Sequence, residues 1–223
     1  MIGTPRLHFR LTDSTNARAR ELAAGGAPHG TIVPASEQSA GRGRQGRTWV
    51  APPGRALLCS IVLREPPKLL PLVAGVAVAE IAGEQARLKW PNDVLVDGRK
   101  VAGILVEGRP QEGWAVLGIG LNVALREEDF PRELSDRAGT LGHEPNDVEP
   151  TLERLLSILE RWLASQPARL LEEVRSRDWL SGQRIGWAGG EGTAAGIDDE
   201  GRLLVDTASG RQALDAGEVH LGS

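Results

Sequence analysis

The chain is short of cysteine, of tyrosine and phenylalanine, of net charge and of long apolar runs, and each shortage closes off a class of protein. Its single cysteine, Cys59, excludes an intramolecular disulfide and fits a reducing compartment. That residue sits in the apolar run "ALLCSIVL", so a core thiol is expected rather than a nucleophile. There is no tyrosine and there are only two phenylalanines in 223 residues, and the formal net charge is −4. Nucleic-acid surfaces need basic patches and stacking platforms, so that class is disfavoured and any anion binding has to be local. The start "MIGTPRLHFR" lacks the apolar core of a secretory signal. No apolar stretch is long enough for a membrane span. A cytoplasmic protein without a membrane partner is expected. Internal repeats, low-complexity tracts and a Walker A sequence are also missing.

What is present reads as an ordinary globular chain, 40% hydrophobic and 25% charged. "LTDSTNARARELAAGG" carries helix-capping residues at its start and a glycine stop. "GTIVPASEQSA" and "RALLCSIVLR" read as strands, and "LLPLVAGVAVAEIAGEQA" as a helix buried nearly all round. Next come "RLKW", "VLV", "KVAGILVEG" and "GWAVLGIGLNV", closely spaced between turns. That spacing predicts an antiparallel meander, not βαβ units. Residues 149–163 place Leu152, Leu155, Leu156, Leu159, Trp162 and Leu163 on one helical face, and the short helix "PARLLEEVRSR" follows. After Trp179, "RIGWAG", "GTAAGI", "RLLVD" and "EVHLG" alternate with Gly- and Asp-rich turns. They predict a small β-barrel of about forty residues. The expected fold is therefore α+β: a mixed, largely antiparallel sheet with packed helices over residues 1–178, and a small β-barrel over residues 179–223.

Residues 41–47, "GRGRQGR", carry glycines at Gly41, Gly43 and Gly46, the G-x-G-x-x-G spacing of dinucleotide-binding loops. Such a loop must open a helix at its third glycine. Here "RTWVAPPG" follows, and two consecutive prolines bar a helix. Glu65 lies at the right distance for a ribose-binding acid but sits in a proline-bounded turn, and "RALLCSIVLR" offers no kinase lysine. The loop still has physical content. Its glycines permit close backbone approach, and Arg42, Arg44 and Arg47 supply forked donors for phosphate or carboxylate. No acid lies between Ser39 and Arg64 to neutralise them locally. Alone, the loop fits a ligand clamp no better than it fits a solvated turn or an RG-rich nucleic-acid contact.

A second cluster, "KWPND" at 89–93, sets Lys89, Trp90, Asn92 and Asp93 around a proline-stiffened turn, and Lys100 opens the strand "KVAGILVE". Gly103 on that strand leaves room for a ligand or another backbone. A lysine at a strand edge and an aspartate after Pro-Asn are also ordinary surface and turn residues.

Taken in order, "STN" (14–16), "GRGRQGRTW" (41–49), "KWPND" (89–93), "KVAGILVE" (100–107) and "GIGLNV" (118–123) resemble the biotin protein ligases, also called biotin–[acetyl-CoA-carboxylase] ligases. The resemblance implies a class II synthetase-like catalytic domain with a C-terminal SH3-like barrel. It implies biotin and ATP with Mg²⁺, a biotinyl-5′-AMP intermediate, and transfer to a lysine of a biotin carboxyl carrier domain. Carried over by position, Ser14, Thr15, Asn16 and Gln38 would bind the ureido head. Arg42, Gly43, Arg44 and Lys100 would meet the biotin carboxylate and the α-phosphate. Arg47, Trp49, Asn92, Asp93 and Asn122 would line the nucleotide side together with Arg44 and Lys100. Arg42, Arg44, Asp93 and Lys100 would carry the chemistry, with Asp93 a base for the incoming lysine, a Mg²⁺ ligand or a holder of Lys100. Gly103 and Gly120 are expected to be packing positions. Gln45 stands where many members carry a basic residue. About a dozen residues precede Ser14, too few for a helix-turn-helix domain, so no DNA contact is expected. A monomer or a homodimer is compatible with the sequence. A lipoate ligase of the same fold is the nearest rival.

Overall fold

The computed structural model describes residues 1–215, 217 and 219–221; Ala216, Glu218, Gly222 and Ser223, and with them parts of the expected strand "EVHLG", lie outside the described residues. The described residues form two antiparallel sheets with four α-helices, in the order α1 Thr15–Ala24, β1 Ile32–Ala35, β2 Ala56–Arg64, α2 Leu70–Ala82, β3 Arg87–Lys89, β4 Asp93–Val96, β5 Arg99–Arg109, β6 Trp114–Asn122, α3 Val148–Leu163, α4 Pro167–Ser176, β7 Arg184–Trp187, β8 Gly190–Ile197, β9 Leu203–Thr207, β10 Gly210–Leu214 and β11 His220–Leu221. Strands β1 to β6 make one sheet in the order β1-β2-β6-β5-β4-β3, and β7 to β11 make a second in the order β10-β9-β8-β7-β11. The meander expectation holds: β3 to β6 pair successively and antiparallel.

Alternation along the central strands explains what lies on each face of the large sheet. Leu57, Cys59, Ile61 and Leu63 of β2 and Leu117, Ile119 and Leu121 of β6 enter the main core with α2, α3 and α4. The intervening Val62 and Val116 pack on Ala19 and Ala23 of α1 on the opposite face. That second face also carries Ser60, Gly118, Gly120 and Asn122, and it holds the site. Helix α1 begins after Ser14 and stops at Gly25–Gly26, the latter at φ +85°. Helix α3 buries Leu152, Leu155, Leu156, Leu159 and Trp162, the stripe its sequence spacing predicts.

The second sheet is joined to the first by a continuous core, in which Ile185, Ala194, Ile197, Leu203 and Val205 share one cluster with Leu70 and Leu88. Its edge strands β10 and β11 have one sheet neighbour each, so among the described residues it is an open antiparallel sheet. Strand β10, "GRQAL", was not anticipated from the sequence; it is nearly all exposed and is fixed by its pairing with β9. No described helix is long and apolar enough to cross a membrane.

Candidate functional site

The motifs converge on one cavity of about 800 Å³ on the α1 face of the large sheet. Ser14, Thr15, Asn16, Gln38, Arg42, Gly43, Arg44, Arg47, Trp49, Asn92, Asp93, Lys100 and Asn122 all line it. Ser14 and Asn122, 108 positions apart in sequence, thus share one wall system.

One end is polar and sealed. Ser14, Thr15 and Asn16 are buried at the start of α1. Gln38 Oε1 accepts from the Thr15 backbone N–H at 2.7 Å and lies 3.1 Å from its hydroxyl. Asn16 donates through Nδ2 to Glu107 Oε2 at 2.8 Å, and Ser60 Oγ lies 2.5 Å from Asn16 Oδ1. Gly118 makes this possible, because a Cβ there would stand 2.1 Å from Asn16 Oδ1. Just outside, the Asp13 carboxyl is held below its ordinary range, first by the Ser14 N–H and then by the Thr12 hydroxyl. The hydroxyl of Ser14 itself makes no capping bond.

The middle carries charge. Asp93 on β4 and Lys100 on β5 form an ion pair of 2.7 Å, with side chains 21% and 34% exposed. Lys100 is fixed through its backbone, donating to Arg137 O at 2.7 Å and accepting from the Gly139 N–H at 2.8 Å. Its ammonium stands 5.8 Å from the Trp49 ring. That ring lies over Gly103 and Gly120, which are register partners on β5 and β6. Both glycines are therefore packing positions for an indole, as expected. At the far end, Asn122 donates to Gly139 O at 2.8 Å. Asn122 Oδ1 and Trp49 Nε1 are buried without a partner among the described residues.

The glycine–arginine loop folds as a small hairpin. Gly43 donates to Arg47 O at 2.7 Å and Trp49 to Gly41 O at 3.0 Å. Gln45 and Gly46 make the reversal at φ 54° and 76°. No acid neutralises the arginines locally, as expected, but Arg44 finds polar partners elsewhere, donating to Asn92 Oδ1 at 2.7 Å and to Gly217 O at 3.0 Å. Its partners are a side-chain amide oxygen and a backbone carbonyl far along the chain, which a local count of acids does not register. Arg42 is exposed and makes no ion pair or side-chain hydrogen bond with a described residue.

Three features escaped the sequence reading. Ser60 and Glu107 buttress the polar end; a lone hydroxyl inside a nine-residue apolar strand was the available signal for the first. Trp90 borders the cavity but is buried, and its Nε1 donates to Gly201 O at 3.0 Å in the turn between β8 and β9. Phe130, Leu134, Arg137 and Ala138, from the irregular segment after β6, add a further wall.

Residues 8–123 match the model of the biotin/lipoate A/B protein ligase family, and residues 189–222 match that of the biotin protein ligase C-terminal domain. The chain is 37% identical over 239 residues to the biotin–[acetyl-CoA-carboxylase] ligase of Paracoccus denitrificans, covering 95% of this chain and 98% of that one. It is 35% identical over 245 residues to the bifunctional ligase/repressor BirA of Bacillus subtilis, covering 100% of this chain and 75% of that protein. Among solved structures, the biotin protein ligase from Aquifex aeolicus in complex with biotin and ATP is similar at a TM-score of 0.81 and 30% identity, over 98% of this chain and 99% of that one. The sequence matches, the shared fold and a cavity lined by the motifs agree, and the chain belongs to the biotin protein ligases.

Proposed function

We infer that this cavity joins biotin to ATP and passes the activated biotin to a lysine of a biotin carboxyl carrier domain. A biotin carboxylate oxygen attacks the α-phosphorus, the bond to the bridging oxygen breaks and pyrophosphate leaves. The neutral lysine amine then attacks the acyl carbon, AMP leaves and the amine loses its proton. What carries the reading is the sequence of environments along one cavity: a sealed polar end, a cationic middle and an indole-lined far end.

In this reading Ser14, Thr15, Asn16 and Gln38 take the neutral ureido head, for which hydroxyls and amides are suited. Lys100, Arg42 and Arg44, with the backbone of Gly43, hold two anions against their repulsion and stabilise the charge that builds between them. Trp49, Asn92, Asn122 and Arg47 serve the nucleotide; the indole N–H and the Asn122 carbonyl offer it one donor and one acceptor. The short Asp93–Lys100 pair supports Asp93 as the group that holds Lys100 in place. Mg²⁺ arrives with ATP as part of the substrate. Closure of residues 41–47 over the adenylate would keep water from a mixed anhydride. Residues 1–178 form the class II synthetase-like catalytic unit, and residues 179–223 the C-terminal unit, whose sheet we read as an SH3-like barrel. The enzyme works in the cytoplasm as a monomer or homodimer. Its net charge of −4 favours a protein acceptor over DNA. Biotin-dependent exchange of pyrophosphate into ATP tests this; exchange with lipoate but not biotin would move the assignment within the family, and exchange with neither would end it.

A further inference from the structure

The wall built by residues 126–139, after β6, has little of its own to hold it. It gives the cavity Phe130, Pro131, Leu134, Arg137 and Ala138. Phe130 packs with Trp49 on the cluster of Ala56, Leu58 and Leu125, which puts the wall at the indole-lined end. Its regular structure is two single turns, Glu127–Asp129 and Arg132–Leu134. Residues 131–137 are all exposed, and Leu134 keeps 45% of its surface open. A segment that buries so little apolar surface has low local stability, so its place over the cavity must be imposed from outside.

Arg99 imposes it. This residue opens β5 and does not line the cavity, whereas its neighbour Lys100 does. Successive side chains of a strand leave by opposite faces, so one step along β5 separates the cavity's ammonium from a guanidinium behind the wall. Arg99 Nη2 donates to Ser135 O at 2.6 Å and Nε donates to Ala138 O at 2.8 Å, while Nη1 lies 3.4 Å from Glu127 Oε1. Glu127 is 86% exposed, so that ion pair adds little beside the two carbonyls. A planar fork on two carbonyls fixes orientation as well as position. The peptide unit between Ala138 and Gly139 is held from both sides: its carbonyl takes the Arg99 Nε–H, and its N–H donates to Lys100 O at 2.8 Å. The next carbonyl, that of Gly139, accepts from Asn122 Nδ2 at 2.8 Å. Gly139 is buried against β5, where a Cβ would stand 3.0 Å from Arg99 Cβ. The near end of the segment has a separate tie, from Arg55 to Asp129 Oδ2 at 2.7 Å. Losing Arg99 therefore frees the middle of the wall without detaching all of it.

We propose that Arg99 is a positioning residue for ATP: its forked guanidinium sets residues 130–138 in place before the nucleotide arrives. The proposal rests on the biotin and ATP reading above, and adds how the nucleotide end is formed in advance and by which residue. Without the fork the wall is in place only part of the time, and the apparent affinity for ATP falls by that fraction. Occupancy of about a tenth means a loss of about tenfold. The polar end at α1 shares no bond with Arg99 and keeps its affinity.

Two measurements on the full-length chain test this, with thermal melting to check folding. The N–H groups of Leu134, Arg137 and Ala138 are bonded within the segment, so their exchange with solvent reports its order. Without ligand, that exchange should be about tenfold or more faster in Arg99→Ala than in wild type, with α1 unchanged. In pyrophosphate exchange with one substrate varied at a time, Arg99→Ala should raise the KM for ATP about tenfold and hold the KM for biotin within about twofold. Arg99→Lys keeps the charge and the stem but not the fork, so it should still raise the KM for ATP by about threefold or more; it decides alone if Arg99→Ala does not fold. A residue that merely braces the fold would shift both KM values together. That result, an unchanged KM for ATP in either folded variant, or unchanged amide exchange in the wall overturns the proposal. Failure of the wild type to exchange pyrophosphate with biotin would instead strike the functional reading, while the amide exchange, which needs no substrate, would still test the anchor.

Discussion

Gly118 and Gly120 stand two residues apart on β6, so a methyl on either would project from the same face of the sheet. The two methyls meet different groups. At Gly118 the new Cβ would lie 2.1 Å from Asn16 Oδ1, and at Gly120 it would lie 2.6 Å from Trp49 Cε2. Neither residue has a left-handed backbone. Alanine would otherwise be favoured in a strand by about 0.4–1 kcal/mol through the unfolded chain, so any loss comes from the contact. Ordinary non-bonded separations are about 3.5–4.0 Å between carbons, so the indole must retreat by about 1 Å and the amide by slightly more. Overpacking of this kind costs about 1–3 kcal/mol of stability. Displacing a substrate-positioning group by about 1 Å costs on the order of a hundredfold in rate. Gly118→Ala should therefore raise the KM for biotin and leave that for ATP near wild type. Gly120→Ala should do the reverse, each losing about ten- to a hundredfold in kcat/KM. Pyrophosphate exchange with one substrate varied at a time separates the two. If both alanines shift the same constant, or neither shifts any beyond about twofold, the division of the cavity into a head end and a nucleotide end is wrong.

Lys100→Ala should slow adenylate formation by about a hundredfold, the equivalent of roughly 3 kcal/mol of transition-state stabilisation, while transfer from supplied biotinyl-5′-AMP is slowed far less; equal loss in both steps would point to general binding. Trypsin should cut after Arg42 or Arg47 in the free enzyme and be blocked by biotin with ATP, because bound anions draw the loop closed; equal cleavage with and without ligand refutes the closing loop. Burial pushes the Cys59 thiol up from 9.0 to about 12. A thiol reagent at pH 8 should therefore label the protein only after denaturation. In this range the unfolded thiol gives up its proton before the folded one, so stability should fall as pH rises from about 9 towards about 12; a flat alkaline melting profile in wild type relative to Cys59→Ala would contradict it.

Local chemistry was what the sequence made readable. Close spacing of short β-branched runs revealed the meander, and capping residues with a glycine stop revealed α1. The motifs named the wall residues because each is a short contiguous patch of unusual composition. Features that depend on distant neighbours were opaque. Ser60 meets Asn16 from 44 residues away and Asn16 meets Glu107 from 91, so neither partnership leaves a local trace. Trp90 sits inside a site motif yet serves packing, because neighbouring positions of a turn can face opposite ways. Strand β10 lacks an apolar face, and only its ladder with β9 makes it a strand.

The turn at residues 89–93 is shared property. Asn92 and Asp93 open onto the cavity, while the indole of Trp90 is bolted to Gly201 in the turn between β8 and β9, and Arg44 reaches the carbonyl of Gly217. The two sheets should therefore melt as one cooperative body, in a single calorimetric transition. A lineage that lost or exchanged its last forty or so residues would strip the cover from a buried tryptophan two positions from Asn92, and its defect would surface first as slow chemistry. Split-protein reporters cut near residue 178 should regain activity only as fast as the halves re-dock.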